Sequence, residues 1–263
     1  MRIVVVGGSG LIGDKVVTAL HDAGHKPVAA SPAFEIDAFT GEGLDEAMTG
    51  ADVVVDVSNA PAWGDEKVLE FFTTVTRNAL AAGRRAGARH HVALSVLGCD
   101  RLPESGYLRA KVAQEDLIRA AQLPFTIVHS TQFMESLARV AEAGTEDDVV
   151  RVPDTEVQPI AAIEVARFVA AVATNPRAEG VVEIAGPDAF AFEDALARVL
   201  AATNDRRRVI ADPDARYFGA TVSRGVLLPG PEAHIATTRL DDWLSRQNEN
   251  AANPPLPHMT VTV

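Results

Sequence analysis

The sequence predicts an α/β protein built on a doubly wound parallel sheet, with a small C-terminal excursion that faces the substrate. Three observations predict this class. Short apolar runs alternate with long amphipathic stretches over residues 1–130, the first two long stretches end at Gly24 and Gly87, and the connections are too long for hairpins. Strands joined in this way run parallel with right-handed crossovers.

Five apolar segments within residues 1–130 are predicted strands, and the amphipathic segments between them are predicted helices. The β-branched run Ile3–Val6 is typical of a buried strand, and the apolar residues of Leu11–Ala23 recur with helical spacing. The other strands are expected at 28–30, 53–57, 91–96 and 125–129, and the other helices at 67–86 and 107–122.

Three regions are predicted along the chain. Residues 1–130 form the dinucleotide-binding core, and residues 131–246 form a mixed α/β part that faces the substrate, with a strand near 181–185 returning to the sheet. Residues 247–263 contain three prolines and three asparagines and are expected to be a mobile tail. The alternative is that the strand-like end, 259–263, pairs with a neighbour's sheet edge.

The composition excludes several classes of protein. Among 263 residues, 24 Lys and Arg stand against 36 Asp and Glu, a net charge of −12, which argues against partners that are nucleic acids or anionic membranes. The single cysteine, Cys99, cannot form an intrachain disulfide, and no apolar run reaches the roughly 18 residues of a membrane span. With no signal-peptide core at its start, the chain is expected to be cytoplasmic.

A glycine-rich loop separates the first strand from the first helix. It satisfies G-x-G-x-x-G through Gly8, Gly10 and Gly13. Glycines there permit a tight turn and a close approach of the backbone to a pyrophosphate, which the helix N-terminus then binds. A turn without a ligand is the alternative, but the position after the first strand favours a Rossmann-type cofactor site. The expected cofactor contacts are Gly7, Gly8, Ser9, Gly10, Leu11, Ile12 and Gly13.

The end of the second strand bears on which dinucleotide is bound. An acidic residue there holds the ribose hydroxyls of NAD and repels the 2′-phosphate of NADP. This chain has Ala30, Ser31 and Pro32 at that point, and Ser31 can donate a hydrogen bond to either cofactor. NADP(H) is therefore slightly preferred over NAD(H), although Glu35 and Asp37 follow closely and could reverse the preference.

A serine, a tyrosine and a lysine form the candidate catalytic group. Tyr107 and Lys111 share one helix face, and Ser95 lies near the carboxyl end of a strand. The expected roles are Tyr107 as acid/base, Lys111 as the cation that lowers the pKa of Tyr107 and clamps the nicotinamide ribose, and Ser95 as hydrogen-bond donor to the substrate oxygen. Ser58 and Asn59 are expected near that ribose, with a capped turn as the alternative.

Other chemistries fit the sequence less well. His90 and His91 are adjacent on a strand and point to opposite faces, so no metal site is expected. Cys99 is interpreted as a small packing residue. A hydrolase is disfavoured because no histidine is placed to activate Ser95.

The glycine loop, Ser95 and the Tyr107-x-x-x-Lys111 pair together resemble the short-chain dehydrogenase/reductase superfamily. The resemblance covers roughly residues 1–245. Within the superfamily the chain is similar to the atypical NmrA-like, NAD(P)H-binding branch, on the residues Ala110, Lys111, Gln114, Glu115 and Phe125–Val128. Many members of that branch lack the tyrosine and act as sensors, and relatives often carry arginine where this chain has His129.

The expected activity is hydride transfer between nicotinamide and a carbonyl or alcohol of a small metabolite, by an NAD(P)-dependent oxidoreductase. The alternatives are an NADP(H)-sensing regulator without turnover and an epimerase that uses the same cofactor transiently. A small-molecule substrate is the expected partner, and analogy with the paired long helices of such sheets suggests a homodimer.

Overall fold

The computed structural model describes residues 1–61, 64–175 and 180–252. The strands are β1 (Arg2–Val6), β2 (Lys26–Ala30), β3 (Val53–Asp56), β4 (His90–Val96), β5 (Phe125–Ser130), β6 (Thr145–Glu146), β7 (Val149–Val152), β8 (Glu156–Val157), β9 (Gly180–Ala185), β10 (Phe190–Ala191), β11 (Arg208–Ala211) and β12 (His234–Ile235). The helices are α1 (Gly13–Asp22), α2 (Leu44–Met48), α3 (Asp65–Ala86), α4 (Gly106–Ala120), α5 (Leu137–Ala143), α6 (Ala162–Thr174), α7 (Phe192–Ala202) and α8 (Leu240–Ala252).

The main sheet of the described residues has seven strands in the order β12-β9-β5-β4-β3-β1-β2. Every pairing in it is parallel. The order reverses direction at β1, between β2 and β3, as in a doubly wound sheet. The predicted fold class is therefore confirmed.

Helices cover both faces of the sheet because the run Ile3–Val6 in its central strand β1 is apolar and buried at every position. Ile3 and Val5 pack against α1 and α6, whereas Val4 and Val6 pack against the layer that contains α3. Side chains of a strand alternate between the two faces, so a continuous apolar run requires cover on each side. α4 completes the second layer, where Ile118 packs on β4 and β5.

The second half of the chain contributes both to the main sheet and to a smaller unit. β9 pairs with β5, and α6 buries Val165 and Val169 against the sheet. The smaller unit has a three-stranded sheet in the order β11-β7-β6 and the antiparallel pair β8–β10. These elements pack with α5 and α7 around a separate apolar cluster that includes Leu137, Val150 and Leu196.

The C-terminal segment departs from the sequence prediction. α8 extends to Ala252, so residues 247–252, which the sequence assigns to a mobile tail, belong to a helix. Leu240 and Leu244 are buried against the apolar cluster of the smaller unit, and this packing holds the start of the helix. The rest of the predicted tail, 253–263, lies outside the described residues.

No helix in the described ranges combines the length and the apolar character that crossing a membrane requires.

Candidate nucleotide-binding and catalytic site

The loop between β1 and α1 is folded so tightly that three of its glycines, Gly7, Gly8 and Gly13, admit no side chain. Gly7 has φ +79°, and a Cβ there would lie 2.8 Å from the backbone N and Cα of Ser58. A Cβ on Gly13 would lie 2.1 Å from the carbonyl oxygen of Gly7. That carbonyl accepts a hydrogen bond from the Gly10 amide at 3.0 Å, which closes the turn. The turn thus requires glycine on steric grounds.

The start of α1 offers backbone donors beside this turn. α1 begins at Gly13, and its N-cap residue, Ile12, provides no side-chain hydrogen bond. Ser9, Gly10 and Leu11 are exposed. The first amides of a helix have no partner within the helix and carry the positive end of its dipole, so this segment can hold a pyrophosphate.

Ser31 follows β2 directly and is 4% exposed. Its carbonyl oxygen accepts hydrogen bonds from the Phe34 and Ile36 amides at 2.9 and 3.2 Å. Its buried hydroxyl has no hydrogen-bond partner among the residues that the structure describes. A hydroxyl without a partner next to a nucleotide loop is suited to a polar group of the ligand.

Asp56, at the end of β3, organises the loop that touches Gly7. Its carboxylate is fully buried and accepts hydrogen bonds from the amide and the hydroxyl of Ser58, at 3.0 and 2.7 Å. Ser58 therefore forms the capped turn, and its hydroxyl is directed to Asp56. The next residue, Asn59, turns its side chain to α4, where its Oδ1 accepts a hydrogen bond from the Tyr107 hydroxyl at 3.3 Å.

Tyr107 lies in the first turn of α4, which Ser105 caps by accepting a hydrogen bond from the Leu108 amide at 3.2 Å. Its ring stacks on Phe218, with centroids 5.4 Å apart, and contacts the edge of Phe72 at 5.8 Å. Burial raises the pKa of Tyr107 to about 12. This direction is opposite to the sequence expectation, and the reason lies in the position of Lys111.

Lys111 is 2% exposed, and its ammonium points into the protein. Its Nζ donates to the carbonyl oxygen of Leu94 at 2.9 Å and to Oε1 of Gln114, and it lies 4.4 Å from the centroid of the Phe72 ring. Burial lowers the pKa of Lys111 to about 8, although nearby carboxylates favour its charged form. In this arrangement the ammonium is bound within the helix layer, and Lys111 is not among the groups that shift the pKa of Tyr107.

Ser95 is also directed inward. The sequence assigns its hydroxyl to the substrate oxygen, but here the hydroxyl donates to Oε1 of Glu115 at 2.5 Å, and the residue is 4% exposed. The physical reason is that a buried carboxylate needs hydrogen-bond donors to offset the loss of its hydration, and the Ser95 hydroxyl is one of them.

Glu115 is the centre of a cluster that also contains Cys99, His129 and Arg119. Oε1 lies 2.8 Å from Nε2 of His129 and 3.3 Å from Sγ of Cys99, and Oε2 accepts from Arg119 at 2.7 Å. Burial alone would raise the pKa of Glu115, but these hydrogen bonds and the charge of His129 hold it at about 2. Burial raises the pKa of Cys99 to about 12.

Sequence reasoning assigned no site role to Glu115 or His129. Two signals were available. Glu115 lies four residues after Lys111 on the same helix face, and parallel pairing of β4 with β5 in the observed register sets His129 beside Ser95. The second signal depends on the strand register, which the sequence does not specify.

The predicted site residues thus divide into two groups. The glycine loop, Asn59 and Tyr107 lie together at the carboxyl edge of β1, β3 and β4, whereas Ser95 and Lys111 turn into the layer between the sheet and α4. The reversal of strand order at β1 and the open helix N-terminus at the end of that strand define a nucleotide-binding α/β protein of the Rossmann type.

The particular family follows from comparison with known proteins. The model of an NAD(P)H-binding family matches residues 7–176, and the chain belongs to this family. The match covers the glycine loop, the strands β2 to β5 and the helices between them. It confirms the resemblance to the atypical, NAD(P)H-binding branch of the short-chain dehydrogenase/reductase superfamily.

Solved structures share the fold over nearly the whole chain. MoeE5 in complex with UDP-glucose and NAD has a TM-score of 0.74 at 17% identity, covering 96% of this chain and 99% of that one. An NADPH-dependent quinone oxidoreductase from Escherichia coli has a TM-score of 0.68 at 16% identity, covering 93% and 99%. A short-chain dehydrogenase/reductase superfamily protein from Agrobacterium tumefaciens with bound NAD has a TM-score of 0.68 at 15% identity, covering 96% and 97%.

One curated relative is the photosystem II assembly factor Ycf39 of Synechocystis. It is 26% identical over 151 residues, which is 52% of this chain. The chain spans slightly less than half the length of that relative, 46%.

Proposed function

We propose that this protein is an NAD(P)-dependent oxidoreductase that transfers a hydride between nicotinamide and a carbonyl or alcohol of a small metabolite, with Tyr107 as the acid/base. The observation that carries the proposal is the continuity between the glycine loop and Tyr107. Gly7 packs against the backbone of Ser58, and the adjacent Asn59 accepts a hydrogen bond from the Tyr107 hydroxyl. A dinucleotide bound at the loop would extend along this edge toward the phenol.

The residues present fit a nicotinamide dinucleotide. The glycine loop and the first amides of α1 would hold the pyrophosphate, and Asn59 and Tyr107 would lie on the nicotinamide side. When bound, the reduced cofactor supplies the hydride. The chain's own contribution is to orient both reactants and to supply the proton that the developing alkoxide requires.

The raised pKa of Tyr107 favours the reductive direction. At neutral pH the phenol keeps its proton, so the hydroxyl can donate it to the carbonyl oxygen as that oxygen gains negative charge. The resulting phenolate recovers a proton from solvent after product leaves. Asn59 orients the hydroxyl through its Oδ1, at 3.3 Å.

Lys111 and Ser95 have positioning roles in this proposal. Lys111 fixes α4 on the sheet through its hydrogen bond to the Leu94 carbonyl, and Ser95 anchors Glu115. Neither side chain is assigned a direct contact with the substrate or the cofactor. Ser58 likewise shapes the loop through Asp56.

NADP(H) is the proposed cofactor, with NAD(H) as the less favoured one. Support comes from Ser31, whose hydroxyl is available at the end of β2 where a carboxylate would repel a 2′-phosphate. Glu35, four residues later, adopts a left-handed conformation at φ +59° at the end of a short 3-10 helix.

The test is a panel of carbonyl and alcohol substrates followed by nicotinamide absorbance, run with both cofactors. Quinones and nucleotide sugars belong in the panel because the names of structural neighbours include them. A cofactor-dependent change that Tyr107→Phe abolishes supports the proposal. If the panel produces no change although the cofactor binds, the hydride-transfer proposal is refuted.

A second candidate is a regulatory protein that binds NADP(H) without turnover. Its specific support is the engagement of Ser95 and Lys111 in buried hydrogen bonds, which leaves Tyr107 without a lowered pKa. The assembly-factor name of the curated relative points the same way. This candidate predicts tight cofactor binding that Tyr107→Phe does not alter and no absorbance change with any substrate.

A further inference from the structure

We propose that Cys99, Glu115 and His129 form a binding site for a divalent transition-metal ion, with zinc as the ion it fits best. The three residues come from different elements: a short 3-10 helix after β4, the middle of α4, and β5. The fold alone brings them together, because 16 and 14 residues separate them along the chain.

Two of the three separations between the ligand atoms are close to those that a metal requires. Sγ of Cys99, Nε2 of His129 and a carboxylate oxygen of Glu115 all lie within 4.8 Å of one another. Tetrahedral zinc, with bonds of about 2.0–2.3 Å, places its ligand atoms about 3.3–3.6 Å apart. The measured 3.3 Å from sulfur to oxygen meets this range, and the 2.8 Å from nitrogen to oxygen needs an opening of about half an ångström.

The chemistry of the donors selects the ion. A thiolate and an imidazole favour zinc, whereas magnesium and calcium require oxygen ligands. Three protein ligands leave one position of a tetrahedral zinc ion for a water molecule or an exogenous group. On binding, the Cys99 thiol gives up its proton to solvent and a sulfur–metal bond forms, with no change in oxidation state.

Neighbouring side chains supply the outer contacts that hold metal ligands in place. Arg119 donates to the second carboxylate oxygen of Glu115 at 2.7 Å, which leaves Oε1 directed at Cys99 and His129. Ser95 donates to Oε1 at 2.5 Å and lies 4.0 Å from the sulfur of Cys99. Such contacts orient metal-binding carboxylates and raise affinity.

A cleft gives the cluster access to solvent. It has a volume of about 540 Å³ and is lined by residues from α4, β5, β9 and the loop at 225–230, including His129, Arg119 and Glu183. His129 is 9% exposed, so one of the three ligands borders this cleft while Cys99 and Glu115 lie behind it. Because Ser95, His129 and Glu183 pair across adjacent strands, the cleft lies on the face of the sheet that α4 covers.

The decisive experiment is titration of the full chain with cobalt(II), whose bonds to thiolate give a charge-transfer band in the near ultraviolet. Cys99 is the single cysteine of the sequence, so any such band arises from it. We expect one cobalt ion per chain with this band, displacement by zinc, and loss of the band in Cys99→Ser. His129→Gln should weaken zinc binding by more than tenfold in isothermal titration calorimetry, and zinc should raise the melting temperature of the wild type but not that of Cys99→Ser.

His21→Asn is the matched control, because His21 is an exposed histidine near His25 where metal can bind nonspecifically. This variant should retain the sulfur band and the affinity of the wild type. The proposal is overturned if the folded wild type shows no sulfur band with cobalt. It is equally overturned if zinc binds but Cys99→Ser and His129→Gln bind it as tightly. Circular dichroism of the metal-free variants verifies that each one is folded.

Discussion

At the scale of single residues, the proposed proton transfer depends on the phenol of Tyr107. Tyr107 is held at the edge of the nucleotide loop by Asn59 and stacked on Phe218, while its pKa stays high. A protonated phenol in this position acts as a proton donor. Removal of the hydroxyl alone leaves the packing of the ring almost intact.

Tyr107→Phe should therefore reduce kcat/KM for carbonyl reduction by about 10²–10⁴-fold, because a positioned proton donor contributes that much. The dissociation constant for the cofactor should change less than threefold. Steady-state kinetics and fluorescence titration measure the two quantities. Tyr217→Phe is the control, since Tyr217 donates to Gln132 and lies in the apolar cluster of the smaller unit. An equal loss of kcat/KM in Tyr107→Phe and Tyr217→Phe would contradict the role assigned to Tyr107.

The choice of cofactor also rests on one residue. Ser31→Asp adds a carboxylate at the end of β2 that repels a 2′-phosphate, so binding of NADPH should weaken more than tenfold while binding of NADH is unchanged or tighter. Ser31→Asn, which adds similar bulk without charge, should leave the ratio of the two dissociation constants near that of the wild type. If both substitutions change the ratio of the two dissociation constants equally, the bulk of the side chain at position 31, and not its charge, determines the cofactor preference.

At the scale of elements, the glycine loop and α4 make separate contributions. In the loop, Gly13→Ala places a Cβ 2.1 Å from a carbonyl oxygen of the same turn, so the turn must open. We expect loss of cofactor binding and a decrease of about 1–3 kcal/mol in the free energy of unfolding, as for other overpacked sites.

Gly64→Ala is the matched control for this change. Gly64 has φ −72°, and a Cβ there meets nothing within 4 Å. Its effect on cofactor binding and on the urea midpoint should be small. Retention of wild-type cofactor affinity in Gly13→Ala would contradict the placement of the pyrophosphate at this turn.

α4 carries a buried ammonium, which makes stability depend on pH. Lys111 has a pKa of about 8 in the folded protein against 10.5 as its ordinary value. Between these values the unfolded chain binds more protons than the folded one, so this residue makes stability increase as pH rises. Below about pH 8 both states are protonated and the contribution is constant.

The expected result is that, from pH 7 to 9, the free energy of unfolding rises more steeply in the wild type than in Lys111→Met. Urea unfolding at several pH values measures the slopes. The comparison of variants removes the opposing effect of Cys99 and Tyr107, whose raised pKa values destabilise the fold at higher pH. Lys67→Met, at an exposed position of α3, should retain the wild-type slope. Parallel slopes for all three proteins would refute the burial of a charged Lys111.

The sequence predicts the elements that bury one continuous apolar face far better than it predicts side-chain directions. β1, β3 and α3 follow from β-branched runs and helical spacing, and the glycine loop follows from steric necessity. The direction of Ser95 and Lys111 does not follow, because it depends on Glu115 and Gln114 being within reach across a sheet and a helix layer. No part of α8 was predicted, and its last residues, 247–252, were assigned to the tail because asparagines and prolines dominate the sequence from residue 247 onward.

At the scale of the whole molecule, cofactor binding should stabilise the fold, because the loop joins β1 to α1 and packs against the backbone at Ser58 after β3. At a concentration of 100 times the dissociation constant, a ligand adds about 2.7 kcal/mol. For a chain of this length that corresponds to a rise in melting temperature of about 5–10 °C. Differential scanning fluorimetry should show this rise with NADPH in the wild type and none in Gly13→Ala.

A crystal structure of the full chain with NADP⁺ would show whether the glycine loop holds the cofactor with its nicotinamide ring at Tyr107. We expect the pyrophosphate on the first amides of α1, with the hydroxyl of Tyr107 within about 3–5 Å of C4 of the nicotinamide ring, the range from which reaction proceeds. A bound cofactor whose ring lies away from Tyr107, or whose pyrophosphate avoids the loop, would contradict this expectation.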